Sequence, residues 1–147
     1  MEVFKQGDIL LVEDSALEAE LAIAGLERDN WASRITWVRD GVEALDYLFC
    51  RGQYTDRYDI APLLVLLDLK MPRLSGLDTL REIKSNERTR SIPVVVMTSS
   101  SEDSDITGAY GLGANSYVVK PFDFAELTEV MRSAGQYWLA VNRPAQG

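Results

Sequence analysis

Apolar residues along this chain fall into two alternating patterns. Short unbroken runs, from Ile9 to Val12, Ile35 to Val38, Leu63 to Leu67, Val94 to Met97 and Tyr117 to Val119, have the length and β-branched content of strands. Between them the apolar positions recur at helical spacing: Leu17, Leu21 and Ala24 with Leu26, then Val42, Leu45 and Leu48 with Phe49, then Leu77, Leu80 and Ile83. A last helix is expected from about Asp123 toward Val141. Strands that are continuously apolar rather than alternating belong to a parallel sheet covered on both faces. The pattern therefore predicts an α/β, doubly wound fold of five βα units.

Length and composition narrow this further. The chain has 147 residues, one domain's worth, enough to bury about two thirds of its unfolded surface without a disulfide or structural metal. It carries one cysteine, Cys50, expected as a small packed residue near the end of the second helix. No run approaches the roughly 20 apolar residues of a membrane span, and the opening residues lack a signal-peptide pattern, so the expected location is cytoplasmic, away from the membrane. With 15 basic against 23 acidic residues, a net charge of −8 argues against direct nucleic-acid binding. The absence of histidine removes His-based dyads and the usual zinc sites, leaving carboxylates, hydroxyls and lysine as the available chemistry. The segment Arg51 to Pro62 is expected as a solvated loop, and the tail from Arg143 to Gly147 as frayed.

In an open parallel sheet, ligands bind beyond the carboxyl ends of the strands. The residues there are Glu13 and Asp14 after the first run, Asp68 after the third, Thr98, Ser99 and Ser100 after the fourth, and Lys120 with Pro121 after the fifth. Crowded carboxylates repel by about 4 kcal/mol for a pair about 4 Å apart at an effective dielectric near 20, and so call for a proton or a cation. An all-oxygen set favours a hard divalent ion, best Mg²⁺, which also accepts phosphate oxygen. Lys120 and Thr98 are suited to the remaining charge and oxygens of a phosphoryl group.

These residues resemble the receiver domains of two-component response regulators over nearly the whole chain. The marks are the acidic pair in LLVEDS, the acceptor strand in LLDLKMPRLSG, the hydroxyl in VVVMTSS, and YVVKPF. The resemblance implies a flavodoxin-like sheet of order 2-1-3-4-5 over a single receiver domain spanning residues 1–147. It makes Asp68 the phosphoacceptor, and Glu13, Asp14, Asp68 and the backbone carbonyl of Lys70 the Mg²⁺ ligands. It makes Thr98 and Lys120 the phosphoryl contacts, and Thr98 with Tyr117 the switch pair, although Tyr117 is equally read as a core aromatic. It also implies a cis bond between Lys120 and Pro121, and a Gly76 that relieves crowding behind Asp68. The phosphodonor would be the phosphohistidine of a sensor histidine kinase. The GQYWLAV ending and the long loop before the third strand are similar to regulators paired with bacterial and cyanobacterial phytochromes.

In the last helix, Phe124, Leu127, Met131, Ala134 and Trp138 form one stripe, expected in the core, with Val130, Tyr137 and Val141 beside it. The segment 124–141 either packs on its own domain or pairs with a second copy, and pairing to a homodimer is favoured because exposed aromatic patches mark interfaces. With only this helix after Lys120, output by protein contact is expected. Two enzymatic or cofactor readings compete. An aspartate-nucleophile phosphatase of the haloacid dehalogenase type needs an acid two residues after the nucleophile, where Lys70 stands. A flavin module of flavodoxin type needs a phosphate-binding loop where Glu13 and Asp14 would repel phosphate. A pseudo-receiver that binds partners without phosphorylation is the third alternative.

Overall fold

The structure, a computed structural model, describes residues 9–28, 35–57 and 61–143. Five strands alternate with five α-helices: β1 (Ile9–Val12), α1 (Ala16–Glu27), β2 (Ile35–Val38), α2 (Gly41–Leu48), β3 (Leu64–Leu67), α3 (Gly76–Ser85), β4 (Val94–Thr98), α4 (Asp103–Gly111), β5 (Ser116–Val119) and α5 (Phe124–Gln136). All strand pairs are parallel and the sheet order is β2-β1-β3-β4-β5, as expected.

Successive side chains of a strand point to opposite faces, so each apolar run feeds two cores. Leu10, Val12, Val65, Leu67, Val94 and Val96 pack against α2, α3 and α4. Ile9, Leu11, Leu64, Leu66, Val95 and Met97 pack against α1 and α5. This double burial explains why β1, β3 and β4 are apolar almost throughout. The edge strands β2 and β5 are only partly covered, and there Thr36 and Ser116 are accommodated.

Three helical expectations are corrected. The buried face of α1 is Ala19, Ala22, Gly25 and Leu26, whereas Leu17 and Ala24 are exposed. The reason is close packing on α5: a Cβ at Gly25 would lie 2.4 Å from the Thr128 carbonyl oxygen, so small residues set that contact, with Leu26 buried and Leu21 and Ile23 partly buried beside them. In α5, Leu127 and Met131 are buried, but Phe124 is 57% exposed. Phe124 instead lines an open surface groove with Leu17 and Phe122. Finally, the α-helix stops at Gln136 and Tyr137–Val141 winds as a π-helix, with the Asn142 amide donating to the Tyr137 carbonyl at 2.6 Å. The wider turn leaves Tyr137 and Val141 exposed while Trp138 and Leu139 pack against the α1–α5 core.

The loop from Arg51 is largely exposed, as expected, and locally anchored, with residues 58–60 outside the described residues. It forms a short 3₁₀ turn, Gly52–Tyr54, with Tyr54 edge-on to Tyr47 of α2 at 5.1 Å. Arg57 stacks 4.0 Å over the Tyr47 ring and donates from Nε to the Tyr47 carbonyl at 2.8 Å. Cys50, half-buried, takes φ 54° as the chain leaves α2. Within the expected frayed tail, residues 144–147 lie outside the described residues.

Candidate functional site

The sheet register builds the site. Val12 pairs with Leu67, so Glu13 and Asp68 leave adjacent strands side by side. The Asp68 amide donates to the Val12 carbonyl (3.1 Å) and the Glu13 amide to the Val38 carbonyl (3.0 Å), which holds both just beyond the sheet's edge. Val119 pairs with Thr98, and the Lys120 amide donates to the Thr98 carbonyl (2.7 Å), which fixes where Lys120 departs.

Three carboxylates gather around one ammonium, and a fourth, Asp14, lies beside two of them. One carboxylate oxygen from each of Glu13, Asp14 and Asp68 lies within 4.8 Å of the others. Lys120 Nζ donates to Glu13 Oε1 (2.6 Å) and Glu18 Oε1 (2.5 Å), and more distantly to Asp68 Oδ2 (3.3 Å). The other Asp68 oxygen, Oδ1, accepts from the Leu69 amide at 2.7 Å. Glu13 and Lys120 are nearly buried, Asp68 is 12% exposed at its side chain, and Asp14 faces solvent.

Burial pushes the Glu13 carboxyl up to about 7; the Lys120 ammonium opposes that rise and Asp68 adds to it. Burial works against the Lys120 ammonium too, but Asp68, Glu13 and Glu18 outweigh it and hold the group above an ordinary lysine. The donor set is all oxygen and remains net negative after Lys120 is counted, so these residues fit a hard divalent cation.

Around this centre, Thr98 is fully buried and its Oγ1 accepts from the Ser100 amide at 3.4 Å. Tyr117, part-buried against the α2–α4 core, donates its hydroxyl to the Ser100 carbonyl (2.9 Å). Gly76 sits where expected: a Cβ there would lie 2.3 Å from the Asp68 carbonyl oxygen and 2.4 Å from Leu69 Cα. Lys70 is exposed in the loop between them. The expected cis bond at Pro121 is corrected, since no cis peptide occurs among the described residues; X–Pro bonds retain a trans preference of about 0.5–1 kcal/mol.

With an acidic cluster, an aspartate at the end of β3, a buried hydroxyl at the end of β4 and a lysine after β5, residues 9–132 match the response regulator receiver domain. The chain belongs to that family. This receiver is 43% identical over 135 residues to the probable methanogenesis regulatory protein FilR2 of Methanothrix harundinacea, covering 92% of this chain and 85% of that one. It is 35% identical over 138 residues to response regulator Rcp1 of Synechocystis sp., covering 93% and 92%. A Mn²⁺-bound structure of Rcp1 superposes with a TM-score of 0.86 at 33% identity, covering 94% and 98%. The phosphorylated cyanobacterial phytochrome response regulator RcpA superposes with a TM-score of 0.89 at 33% identity, covering 96% and 99%. Phosphoryl acceptance fits this fold and site, and the dehalogenase-type and pseudo-receiver alternatives are not favoured.

Two contacts of this receiver were not legible in the sequence as site features. Glu18 reads as half of a capping box with Ser15, yet its carboxylate goes to Lys120. Asp40, the cap of α2, receives a two-pronged contact from Arg73 of the β3–α3 loop, Nε to Oδ2 at 2.8 Å and an Nη to Oδ1 at 3.1 Å. Arg73 adopts φ 66°, a left-handed conformation unusual for a residue with a side chain. Only the capping spacing could have drawn attention to Glu18; the Asp40–Arg73 pair leaves no local signal.

Proposed function

We propose that this receiver takes a phosphoryl group onto Asp68 from the phosphohistidine of a sensor histidine kinase and uses the modified surface to change its protein contacts. The observation that carries the reading is the placement of Asp68, with one oxygen held by the Leu69 amide and the other 3.3 Å from Lys120 Nζ, beside the Glu13–Asp14 pair.

In the transfer, an Asp68 oxygen forms the new P–O bond as the P–N bond to the donor histidine breaks, and the departing imidazole keeps the nitrogen's electron pair. Lys120 meets phosphoryl charge from the β5 side, and the Thr98 hydroxyl donates to a phosphoryl oxygen when the β4–α4 loop approaches. The resident ion is Mg²⁺ in this reading, held by Glu13, Asp14, Asp68 and the Lys70 carbonyl, and when bound it supplies charge neutralisation for the acceptor and phosphoryl oxygens. Movement of Thr98 draws on Ser100, whose amide it holds and whose carbonyl holds Tyr117, so Thr98 and Tyr117 form the switch pair.

The donor chemistry is that of a bacteriophytochrome-type kinase, a reading supported by likeness to Rcp1 and RcpA over nearly their full lengths. Pairing of two copies through the C-terminal segment is supported by exposed Tyr137 and Val141 and by an open, mostly apolar groove of about 450 Å³ between β5 and α5. Among the described residues no helix is long and apolar enough to cross a membrane; the location assigned is the cytoplasm, where such kinases deliver phosphoryl groups.

The test is intact mass after incubation with Mg²⁺ and a small acyl-phosphate donor. The wild-type protein should gain one phosphoryl group, dependent on the ion, and Asp68→Asn should gain none. A folded wild-type protein that gains nothing would make this a pseudo-receiver.

A further inference from the structure

Lys120 is closer to two other carboxylates than to the phosphoacceptor. Its Nζ lies 2.6 Å from Glu13, 2.5 Å from Glu18 and 3.3 Å from Asp68. Glu13 is expected there as a neighbour across the sheet's edge. Glu18 is not, because its place at the third position after the Ser15 cap would ordinarily turn its carboxylate back onto the cap's own amide.

That amide is already taken. The Ser15 N–H donates to Glu13 Oε2 at 3.0 Å, while the Ser15 hydroxyl accepts from the Glu18 amide at 3.3 Å. The Glu18 backbone is therefore fixed by the cap and its carboxylate is diverted to the nearest cation. The Lys120 side chain is 9% exposed and Glu18 40%, so Glu18 reaches the lysine from the solvent side of the site, beside Leu17, Phe122 and Phe124.

We propose that Glu18 is a positioning residue that holds the Lys120 ammonium back from Asp68, so that a phosphoryl group arriving on Asp68 must compete with Glu18 for it. The inference rests on the phosphoacceptor reading above. A doubly charged phosphoryl group attracts the ammonium more strongly than one half-exposed carboxylate does, so the contact yields on phosphorylation and weighs against the modified state until then. The restraint is an exchange of ion-pair partners; the covalent step is unchanged, with the new bond between phosphorus and an Asp68 oxygen and, for an acyl-phosphate donor, a carboxylate leaving.

The test uses the full chain with Mg²⁺ and acetyl phosphate, following phosphoryl gain by intact mass in wild type, Glu18→Gln, Glu18→Asp and Glu20→Gln. Glu18→Gln should gain the group up to about fivefold faster, the equilibrium worth of a partly exposed ion pair. Glu18→Asp keeps the charge but is one methylene short, and should also be faster, which a net-charge effect could not produce. Glu20→Gln, on the same helix and exposed, should stay near wild type. A metal-free crystal structure of Glu18→Gln should show Lys120 Nζ drawn in to about 2.7–2.9 Å from an Asp68 oxygen. Wild-type rates in both Glu18 variants, or equal acceleration in Glu20→Gln, would overturn the proposal. A wild-type protein that gains no mass overturns the phosphoacceptor reading and the competition with it, and the Lys120–Asp68 distance then decides whether Glu18 positions the lysine.

Discussion

Asp40 uses one carboxylate twice: Oδ1 accepts from the Glu43 amide at 2.9 Å to cap α2, and both oxygens receive the Arg73 guanidinium. Burial alone would raise this carboxyl, but Arg73 and the Glu43 amide outweigh burial and hold it below the usual carboxylate range. A depressed folded value contributes stability above the unfolded pKa of about 3.9 and loses it as pH falls through the folded value. Asp40→Asn keeps an acceptor for the cap while removing the charge. Wild type should therefore melt above Asp40→Asn at pH 7, with the gap closing as melts are repeated below about pH 4. A gap that stays constant down to pH 3 would mean that the pair does not shift Asp40. Contacts of this kind leave no trace in sequence, since 33 positions separate Asp40 from Arg73 and 102 separate Glu18 from Lys120. The residues that were legible, Glu13, Asp14, Asp68, Thr98 and Lys120, share a local signature: a polar group directly after an apolar run.

At the scale of elements, the strands and four of the five helices followed from periodicity, while α4 was implied only by the count of βα units, and helix faces followed only in part. In α3, the buried residues include Leu80 and Ile83 from the expected stripe. In α1 Leu26 is buried as expected but Leu17 is not, because backbone contact with α5 at Gly25 puts alanines inward. Gly76 marks where an element meets the site. Gly76→Ala would push a methyl group against Asp68 and Leu69 and should cost about 1–3 kcal/mol in urea unfolding, with slower phosphoryl gain as the proposed acceptor Asp68 shifts. Gly111→Ala is the contrasting case, at the end of α4 with nothing beyond its chain neighbours and its own helix backbone within 4 Å of the new Cβ. It should be neutral or stabilising by up to about 1 kcal/mol through helix propensity. Equal losses in both variants would assign the Gly76 effect to general intolerance of the loops.

For the whole molecule, the sheet separates two surfaces: the acidic edge carrying the site and the side formed by β5, α5 and the π turn. On that side Val119, Tyr137 and Val141 are each more than two-fifths exposed, an unusual concentration for a surface left in water. The double variant Tyr137→Asp with Val141→Asp should stay folded, since neither side chain is in a core, and melt no lower than the wild type diluted to monomer, while light scattering falls from twice the chain mass to one. A wild-type protein that scatters as a monomer both before and after phosphorylation would remove the pairing from the proposed function.

The sequence by itself determined the parallel sheet, its five βα units and the set of residues at the strand ends, because continuous burial and the register of parallel strands are written in local apolar runs. It also carried enough of the acidic edge to point to the receiver family. Tertiary structure alone decided which carboxylates share Lys120, how Arg73 ties its loop to Asp40, which face of α1 is buried and where the last helix widens into a π turn. Those outcomes depend on distances between segments far apart in the chain and on how closely two backbones approach. Hydrophobic periodicity carries no information about either.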